Sequence, residues 1–320
     1  MILMQPIIDR IDRELLLREL TPDKILCTSN KGGNEIYVVD AFNSPNTMRE
    51  IGRLREIAFR DAGGGTGLSC DIDEFDTMDV PCRQMIVWNP ETQEIIGGYR
   101  FILGEDIKVE NGVPRIATSH MFNFSEKFLT EYLPNTIELG RSFVVLDYQN
   151  TKARPKAIYA LDNLWDGLGA LTVCYPQIDY LFGKVTMYPG YGHHSRDLIL
   201  GFMHRHFPDP DRLVWPIEPL ETGADRQEIQ KLFTGDYKED YRILNHLIRE
   251  TGRKIPPLVN AYMSLSPTMR MFGTAINREF GDVEESGIFF KISEIFDEKK
   301  QRHVGMFRRE DSGFAQNLDR

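Results

Sequence analysis

The amino-acid sequence predicts a mixed α/β protein, and three observations support this. Runs of strand length that are rich in β-branched and aromatic residues alternate with longer segments whose apolar residues recur at three- and four-residue spacing. Two of the predicted strands, 83–89 and 94–103, are joined by a short polar turn, which predicts an antiparallel hairpin. No GxGxxG follows a strand, so the sequence does not support a doubly wound nucleotide-binding sheet.

The elements follow in a regular order along the chain. The predicted strands are 35–42, 83–89, 94–103, 137–146, 180–187 and 286–296. The predicted helices are 47–62, 157–175, 193–206, 236–252 and 256–273, the last of them bent near Pro267. The first helix has Ser44 and Asn46 as candidate N-caps, and the glycines at 63–65 end it.

The length of 320 residues, 41% of them hydrophobic, fits one large domain or two small ones. We divide the chain into an N-terminal helical segment (1–30), a main domain (31–296) and a charged tail (297–320). The tail is expected to fray, because its composition offers little apolar surface to bury.

Composition excludes several function classes. The net charge of −10 and the pI of about 5.3 argue against nucleic acid as a partner. The four cysteines lack CxxC spacing, so the sequence suggests neither a zinc ribbon nor a disulfide framework. Neither a signal peptide nor an apolar run of about 18 residues is present, so we expect a cytoplasmic protein. An amphipathic pattern near the N-terminus predicts a helix packed on the core, while peripheral contact with the inner face of a membrane stays open; it comprises Ile11, Leu15, Leu16, Leu17 and Leu20.

The stretch DIDEFD, residues 71–76, places four carboxylates in six positions directly after GGGTG, residues 63–67. A metal loop, a solvated turn and one wall of a site for a cationic group are the three alternatives. An EF-hand does not fit, because Asp76 stands where glycine is required and Cys82 where glutamate is required. GGGTG lacks the lysine of a P-loop, and it is either a mobile loop or a lid. The histidines show no HExxH pattern, so no metal is expected.

Charged residues interrupt segments that are otherwise apolar. Glu138 and Arg141 lie in the strand at 137–146, Arg100 lies in the strand at 94–103, and Arg55 lies in the first helix. Burying such ions costs several kcal/mol unless they pair with each other or serve a cavity. The pattern therefore indicates either a buried ion network without chemistry or a functional site.

Four short motifs carry a resemblance to a known family. They are LREIAF with Arg55 and Phe59, DIDEFD with Asp73 and Asp76, GGYRFI with Arg100, and ELGR with Glu138 and Arg141. In order and spacing they resemble the signature of acyl-homoserine-lactone synthases. They are more similar to the bacterial N-acyl amino acid synthases that begin ornithine- and glycine-lipid synthesis, often labelled hemolysin-like acyltransferases. Both groups belong to the GNAT superfamily, and the resemblance covers residues 47–296, with further matches at 164–171, 180–187, 255–265 and 285–296.

The resemblance implies a GNAT-like twisted mixed sheet, splayed in its middle and flanked by helices, with a C-terminal helical extension and a late strand. It implies transfer of a long-chain, often 3-hydroxylated, acyl group from acyl carrier protein to the amine of a small amino acid, of the glycine or ornithine type. The acyl group would arrive on the carrier's phosphopantetheine arm, and no further cofactor is expected.

The resemblance also assigns roles to residues. Glu138, as general base, and Arg141 would be catalytic, and backbone N–H groups near Phe143, Val144 and Val145 would stabilise the oxyanion. Five residues would form the acceptor pocket and its ion network: Arg55, Phe59, Asp73, Asp76 and Arg100. In this arrangement the carboxylates fix the arginines and attract the incoming ammonium. The flexible GGGTG stretch lets the acidic wall of the acceptor pocket close.

Two departures from the related families narrow this picture. The lactone synthases carry a tryptophan where this chain has GGGTG, which counts against a lactone product. The pyrophosphate loop of acetyl-CoA enzymes is replaced by TKARPKA, residues 151–157, whose Lys152, Arg154 and Lys156 are either a docking site for the acidic carrier protein or a solvated helix start. A different acceptor, such as a lysolipid or another amine, and a non-catalytic fatty-acyl-binding protein remain as alternatives. The sequence does not discriminate glycine, ornithine and serine as acceptors.

Overall fold

The computed structural model describes residues 4–149, 158–222, 226–305 and 307–318. Its α-helices are α1 Arg13–Glu19, α2 Pro45–Ala62, α3 Glu74–Thr77, α4 Ala160–Cys174, α5 His193–His206, α6 Arg226–Lys231, α7 Tyr237–Glu250, α8 Pro257–Met263, α9 Asp297–His303 and α10 Gly313–Leu318. Its strands are β1 Ile25–Thr28, β2 Glu35–Val39, β3 Arg83–Asn89, β4 Glu94–Leu103, β5 Val109–Glu110, β6 Val113–Pro114, β7 Phe122–Phe124, β8 Thr136–Val144, β9 Tyr180–Met187, β10 Val214–Pro216, β11 Arg270–Asn277 and β12 Val283–Lys291. The predicted mixed α/β class is confirmed.

The chain divides into two compact units; the predicted boundary at residue 296 coincides with a boundary between them, whereas the predicted boundary at residue 30 does not. Unit 1 comprises Met1–Ile107, Asn135–Asp179 and Asp297–Arg320, and unit 2 comprises Lys108–Pro134 and Tyr180–Phe296. The predicted splay in the middle of the sheet stays a prediction. None of the described helices is both long enough and apolar enough to cross a membrane.

The core of unit 1 is an antiparallel sheet in the order β1-β2-β3-β4-β8. Successive residues of a strand point to opposite faces. Gln84 of β3 contacts Arg55 of α2 on one face. On the other face α4 approaches so closely that a Cβ on Gly167 would lie 2.4 Å from the Met85 sulfur. The sheet is therefore enclosed between α2 and α4, and the side chains that α2 faces lie in a buried layer.

Helix α2 begins at Pro45, two residues before the predicted start at 47, and it is capped differently. Ser44 is its N-cap residue, yet the Ser44 side chain makes no capping hydrogen bond. The backbone N–H groups of Asn46 and Thr47 donate instead to the carboxylate of Glu19, at 3.0 and 2.7 Å. The helix ends at Ala62, and the C-cap Gly63 has a φ of 93°, the left-handed conformation of a glycine cap.

Both chain ends differ from the prediction. Residues 1–30 form not only α1 but also β1, which pairs with β2. The tail is not frayed: Ser312 and Ala315 are buried, and a Cβ on Gly313 would lie 2.2 Å from the backbone oxygen of Pro22. The charge of the tail concealed these few small residues, which allow close packing on unit 1.

Unit 2 contains an antiparallel sheet in the order β9-β12-β11 and the short pairs β7–β10 and β5–β6. Strand β9 and helix α5 have the predicted bounds. The predicted helix at 256–273 is confirmed only for Pro257–Met263, which form α8; its second half is wrong, because residues 270–277 form β11. Pairing with β12 overrides the ambiguous apolar pattern of this segment.

Candidate active site

The acidic loop of unit 1 is ordered by its own carboxylates. Asp73 is the N-cap of the one-turn helix α3, and it accepts hydrogen bonds from the N–H groups of Phe75 and Asp76, at 3.0 and 3.3 Å. The N–H of Asp73 donates in return to the Asp76 carboxylate, at 3.1 Å. This capping box fixes the spacing of the two carboxylates.

Arg55 of α2 and Asp76 form the deepest ion pair, since neither side chain is exposed. The Arg55 Nη1 atom lies 3.4 Å from Asp76 Oδ2. Gln84 of β3 bridges the pair, because its Oε1 accepts from Arg55 Nη2 and its Nε2 donates to Asp76 Oδ1 at 2.9 Å. The amide therefore completes a closed triangle of hydrogen bonds.

Arg100 of β4 joins the two carboxylates of the capping box. Its Nη1 lies 2.6 and 2.7 Å from the two oxygens of Asp73 and 3.4 Å from Asp76 Oδ2. The Arg100 guanidinium is 1% exposed, whereas the Asp73 side chain is 25% exposed. Asp73 therefore marks the accessible rim of the cluster.

Arg141 reaches the same cluster through a β-bulge in β8. Gly98 pairs with Phe143, and Arg100 pairs with Gly140, so one extra residue of β8 lies between these positions. Arg141 has a φ of 49°, which a side-chain residue rarely adopts. In a regular strand Arg141 would point to the face opposite to that of Gly140. The bulge redirects it so that Nη2 lies 3.3 Å from Asp73 Oδ2.

Burial and charge shift the ionisation of this cluster in opposite directions. Burial opposes ionisation of Asp73, but the Arg100 and Arg141 guanidiniums outweigh it and lower the pKa of Asp73 to about 2. Burial raises the pKa of Asp71 despite the attraction of Arg141. Burial would lower the pKa of Arg100, but Asp76 and Asp73 prevail and raise it.

Glu138 lies on the face of the sheet that carries the cluster. It pairs with Ile102, which is two residues from Arg100, and paired positions of a sheet share a face. The Glu138 side chain is 2% exposed. Burial raises the pKa of Cys82 to about 12, and the charge of Glu138 adds to this shift. The structure therefore brings Glu138, Arg100 and Arg141 to one face.

Backbone pairing in the sheet leaves fewer of the predicted N–H groups available as oxyanion donors. The N–H of Val145 donates to the backbone oxygen of Ile96, at 2.9 Å, so Val145 is a correction to the predicted set. Because N–H groups alternate along a strand, the N–H of Val144 points to the side of β8 away from β4, and that of Phe143 points toward β4. Val144 is the member of the predicted set whose direction suits an oxyanion donor.

The GGGTG loop is held in place rather than open. Glu56, which is fully buried, accepts from the N–H and hydroxyl of Thr66, at 3.1 and 2.8 Å, and from the N–H of Gly67, at 2.8 Å. Arg60 binds the same carboxylate at 2.7 Å. These contacts do not favour the predicted lid, because opening the loop would break the three hydrogen bonds that Thr66 and Gly67 donate to one carboxylate.

Two parts of the predicted site remain: Phe59 and the three cations of the docking candidate. Phe59 is buried one turn after Arg55 on α2, beside the cluster. The docking candidates Lys152, Arg154 and Lys156 lie outside the described residues.

The prediction missed three buried side chains that hold the cluster and its loop: Glu56, Asp71 and Gln84. Gln84 carried the same signal as Arg100, a polar residue within an apolar strand. Asp71 belongs to the acidic stretch itself.

The cluster presents both carboxylates and guanidiniums to a substrate. If all are ionised, the four carboxylates of Asp71, Asp73, Asp76 and Glu138 exceed the three guanidiniums of Arg55, Arg100 and Arg141 by one charge. Among the described residues, no three histidine, cysteine, aspartate or glutamate side chains are arranged to hold a metal ion. The cluster can accept a proton at Glu138, and it can bind a carboxylate at an arginine.

Comparisons with known proteins agree with this chemistry. The acetyltransferase (GNAT) domain family matches residues 54–156. A glycine N(alpha)-acyltransferase of Bacteroides thetaiotaomicron is 61% identical over 306 residues, which are 95% of this chain and 91% of the relative. A protein of the same name from Phocaeicola vulgatus is 59% identical, over 95% of this chain and 94% of the relative. No solved structure matches the chain.

Proposed function

The chain belongs to the GNAT-superfamily N-acyl amino acid synthases, and we propose that it transfers a long-chain acyl group from acyl carrier protein to the amine of glycine. The observation that carries this proposal is a buried glutamate, Glu138, on the same sheet face as Arg100 and Arg141. The relatives at 61% and 59% identity are named for transfer to glycine, which favours this acceptor over ornithine or serine.

The acceptor needs a site for each of its two charges. A glycine carboxylate suits Arg141, whose guanidinium is 15% exposed and can form a two-pronged contact. The glycine ammonium suits the rim carboxylate of Asp73, which is 25% exposed. Because Arg141 Nη2 and Asp73 Oδ2 lie 3.3 Å apart, the two groups present opposite charges at a spacing that a small amino acid can match.

The reaction then needs one proton acceptor and one oxyanion donor. Glu138 removes a proton from the ammonium, and the amine nitrogen attacks the thioester carbonyl carbon. The N–H of Val144 donates to the oxygen that becomes negative. When the carbon–sulfur bond breaks, the thiolate takes the first proton from Glu138, and the second proton of the attacking nitrogen passes through the freed Glu138 carboxylate to water, giving an amide, the carrier thiol and one released proton. Glu138 is thus regenerated as a carboxylate, and no cofactor is consumed.

The proposal is tested by incubating purified protein with a long-chain acyl carrier protein, or the matching acyl-CoA, and equal concentrations of glycine, ornithine and serine. Mass spectrometry should detect N-acylglycine as the main product, together with free carrier thiol. Omission of the amino acids should stop thiol release. A main product on ornithine, serine or a lysolipid would change the acceptor, and thioester binding without thiol release would indicate an acyl-binding protein.

A further inference from the structure

Asp71 has no role in the reaction proposed above, yet it is the first carboxylate of the acidic stretch and is fully buried. Its backbone is fixed against α2, because its N–H donates to the oxygen of Gly52 at 3.1 Å. A Cβ on Gly52 would lie 2.6 Å from the Cys70 sulfur and 3.0 Å from the backbone oxygen of Asp71. The missing side chain of Gly52 therefore sets how deeply Asp71 enters the layer between helix and sheet.

The Asp71 carboxylate faces Arg141. Arg141 Nε lies 3.2 Å from Asp71 Oδ1 and 2.9 Å from Oδ2, and it donates its hydrogen bond to Oδ1. A second carboxylate, that of Asp73, meets Nη2 of the same guanidinium at 3.3 Å. Contacts at two different nitrogens define the plane of a rigid guanidinium, which one contact alone would leave free to rotate.

We propose that Asp71 is a positioning residue, which holds the Arg141 guanidinium in the plane that receives the carboxylate of the acceptor. This inference rests on the proposed function for the identity of the acceptor. The need for such a clamp follows from the bulge, because Arg141 reaches the cluster through an unusual backbone conformation, with a φ of 49°.

The burial and hydrogen bonding of Asp71 distinguish a positioning role from a purely structural one. Asp71 Oδ2 is buried and makes no hydrogen bond, and burial raises the pKa of Asp71. A carboxylate in this state contributes less to folding than a fully bonded one does. A neutral side chain of the same shape should therefore be tolerated by the fold, while the orientation of Arg141 should suffer.

Asp71→Asn is the variant that tests this, with Asp79→Asn as its matched control, since Asp79 is an exposed carboxylate after the same stretch. We expect Asp71→Asn to raise the KM for glycine about 10-fold, to lower kcat less than about 3-fold and to shift the Tm by less than about 3 °C. Asp79→Asn should change none of these. An unchanged KM for glycine in Asp71→Asn would overturn the proposal, and so would a Tm lowered by more than about 8 °C, which indicates a structural role.

A second readout does not depend on the proposed function. Phenylglyoxal modifies guanidinium groups, and mass spectrometry reports the rate at each arginine. In wild-type protein the clamped Arg141 should react slowly, and in Asp71→Asn it should react about 5-fold faster, with Arg242, an exposed residue of unit 2, as the internal reference. Equal rates at Arg141 in both proteins would exclude the clamp. If wild-type protein forms no N-acylglycine but the rates differ, the proposed function fails and the positioning of Arg141 stands.

Discussion

Each unit of the molecule buries charged side chains on the face of a sheet, but the two surroundings differ. In unit 2 the carboxylate of Glu285 meets Lys184 at 2.8 Å, the Thr186 hydroxyl at 3.1 Å and the Asn277 amide at 3.0 Å. A carboxylate with three such donors is satisfied by the fold alone. This arrangement is typical of an ion pair whose role is structural.

The cluster of unit 1 is less complete. Buried Arg55 Nε and Arg100 Nε make no hydrogen bond within the described residues, and the same holds for one oxygen of Asp71. Leaving such groups unsatisfied costs about 1 to 3 kcal/mol each. The comparison teaches that burial of charge alone does not mark a site. A stronger sign is an ion network that folding leaves incompletely bonded and that reaches the surface, as this one does at Asp73.

The largest effect is expected from the same isosteric change in each unit. Glu138→Gln removes the proposed base and should lower turnover about 10²- to 10⁴-fold, while the protein stays folded. Glu285→Gln leaves Lys184 without its carboxylate and should lower the free energy of unfolding by about 3 kcal/mol, with turnover per folded molecule retained. Urea titration and product formation measure the two quantities. A comparable loss of turnover in both variants would remove the distinction between the units.

A smaller effect concerns pH and the rim of the cluster. The pKa of Asp73 falls from 3.8 to about 2 on folding, so its ionised form stabilises the protein. This contribution is fully present above pH 3.8 and is lost as the pH falls through 2; it amounts to about 2 kcal/mol. Asp73→Asn should therefore be less stable than wild type at pH 6, and the difference should shrink as urea titrations are repeated toward pH 3.

Asp71→Asn serves as the control for this pH prediction. Because the pKa of Asp71 is raised on folding, its contribution to stability decreases as the pH rises above 3.8. The stability difference between wild type and Asp71→Asn should have the opposite pH slope. Slopes of the same sign for the two variants would show that the two carboxylates do not differ in their surroundings.

The fold could be predicted from the sequence where the pattern is local. Strands 83–89, 94–103 and 180–187 and helix 193–206 have the predicted bounds, because their periodicity and turn residues are unambiguous. Strand β11 could not be predicted, because its apolar residues also fit a helix and pairing with β12 decides its conformation.

The members of the site could be predicted, but their arrangement could not. Charge within apolar segments identified Arg55, Arg100 and Glu138. By strand periodicity, however, Glu138 and Arg141 are three residues apart and should point to opposite faces. Gly140 of ELGR is consistent with a bulge, but nothing in the motif indicates that the bulge turns Arg141 to the face of Glu138. The bulge is accompanied by Gly97, where a Cβ would lie 2.5 Å from the Phe143 oxygen, but this close approach is visible only in three dimensions.

The smallest effect is expected when two neutral side chains are replaced: Gln84, which bonds the buried ions of unit 1, and Thr186, which bonds Glu285 in unit 2. Gln84→Met and Thr186→Val each remove hydrogen bonds while keeping the shape; Thr186→Val should lower the free energy of unfolding by about 1 kcal/mol and Gln84→Met by about 2 kcal/mol, because two buried ions lose a partner. Only Gln84→Met should also lower turnover, about 10-fold, because Arg55 and Asp76 lose the amide that bridges them. Product formation per folded molecule measures this difference. If both variants keep wild-type turnover, the buried end of the unit 1 cluster serves the fold, and the functional site begins at Arg100.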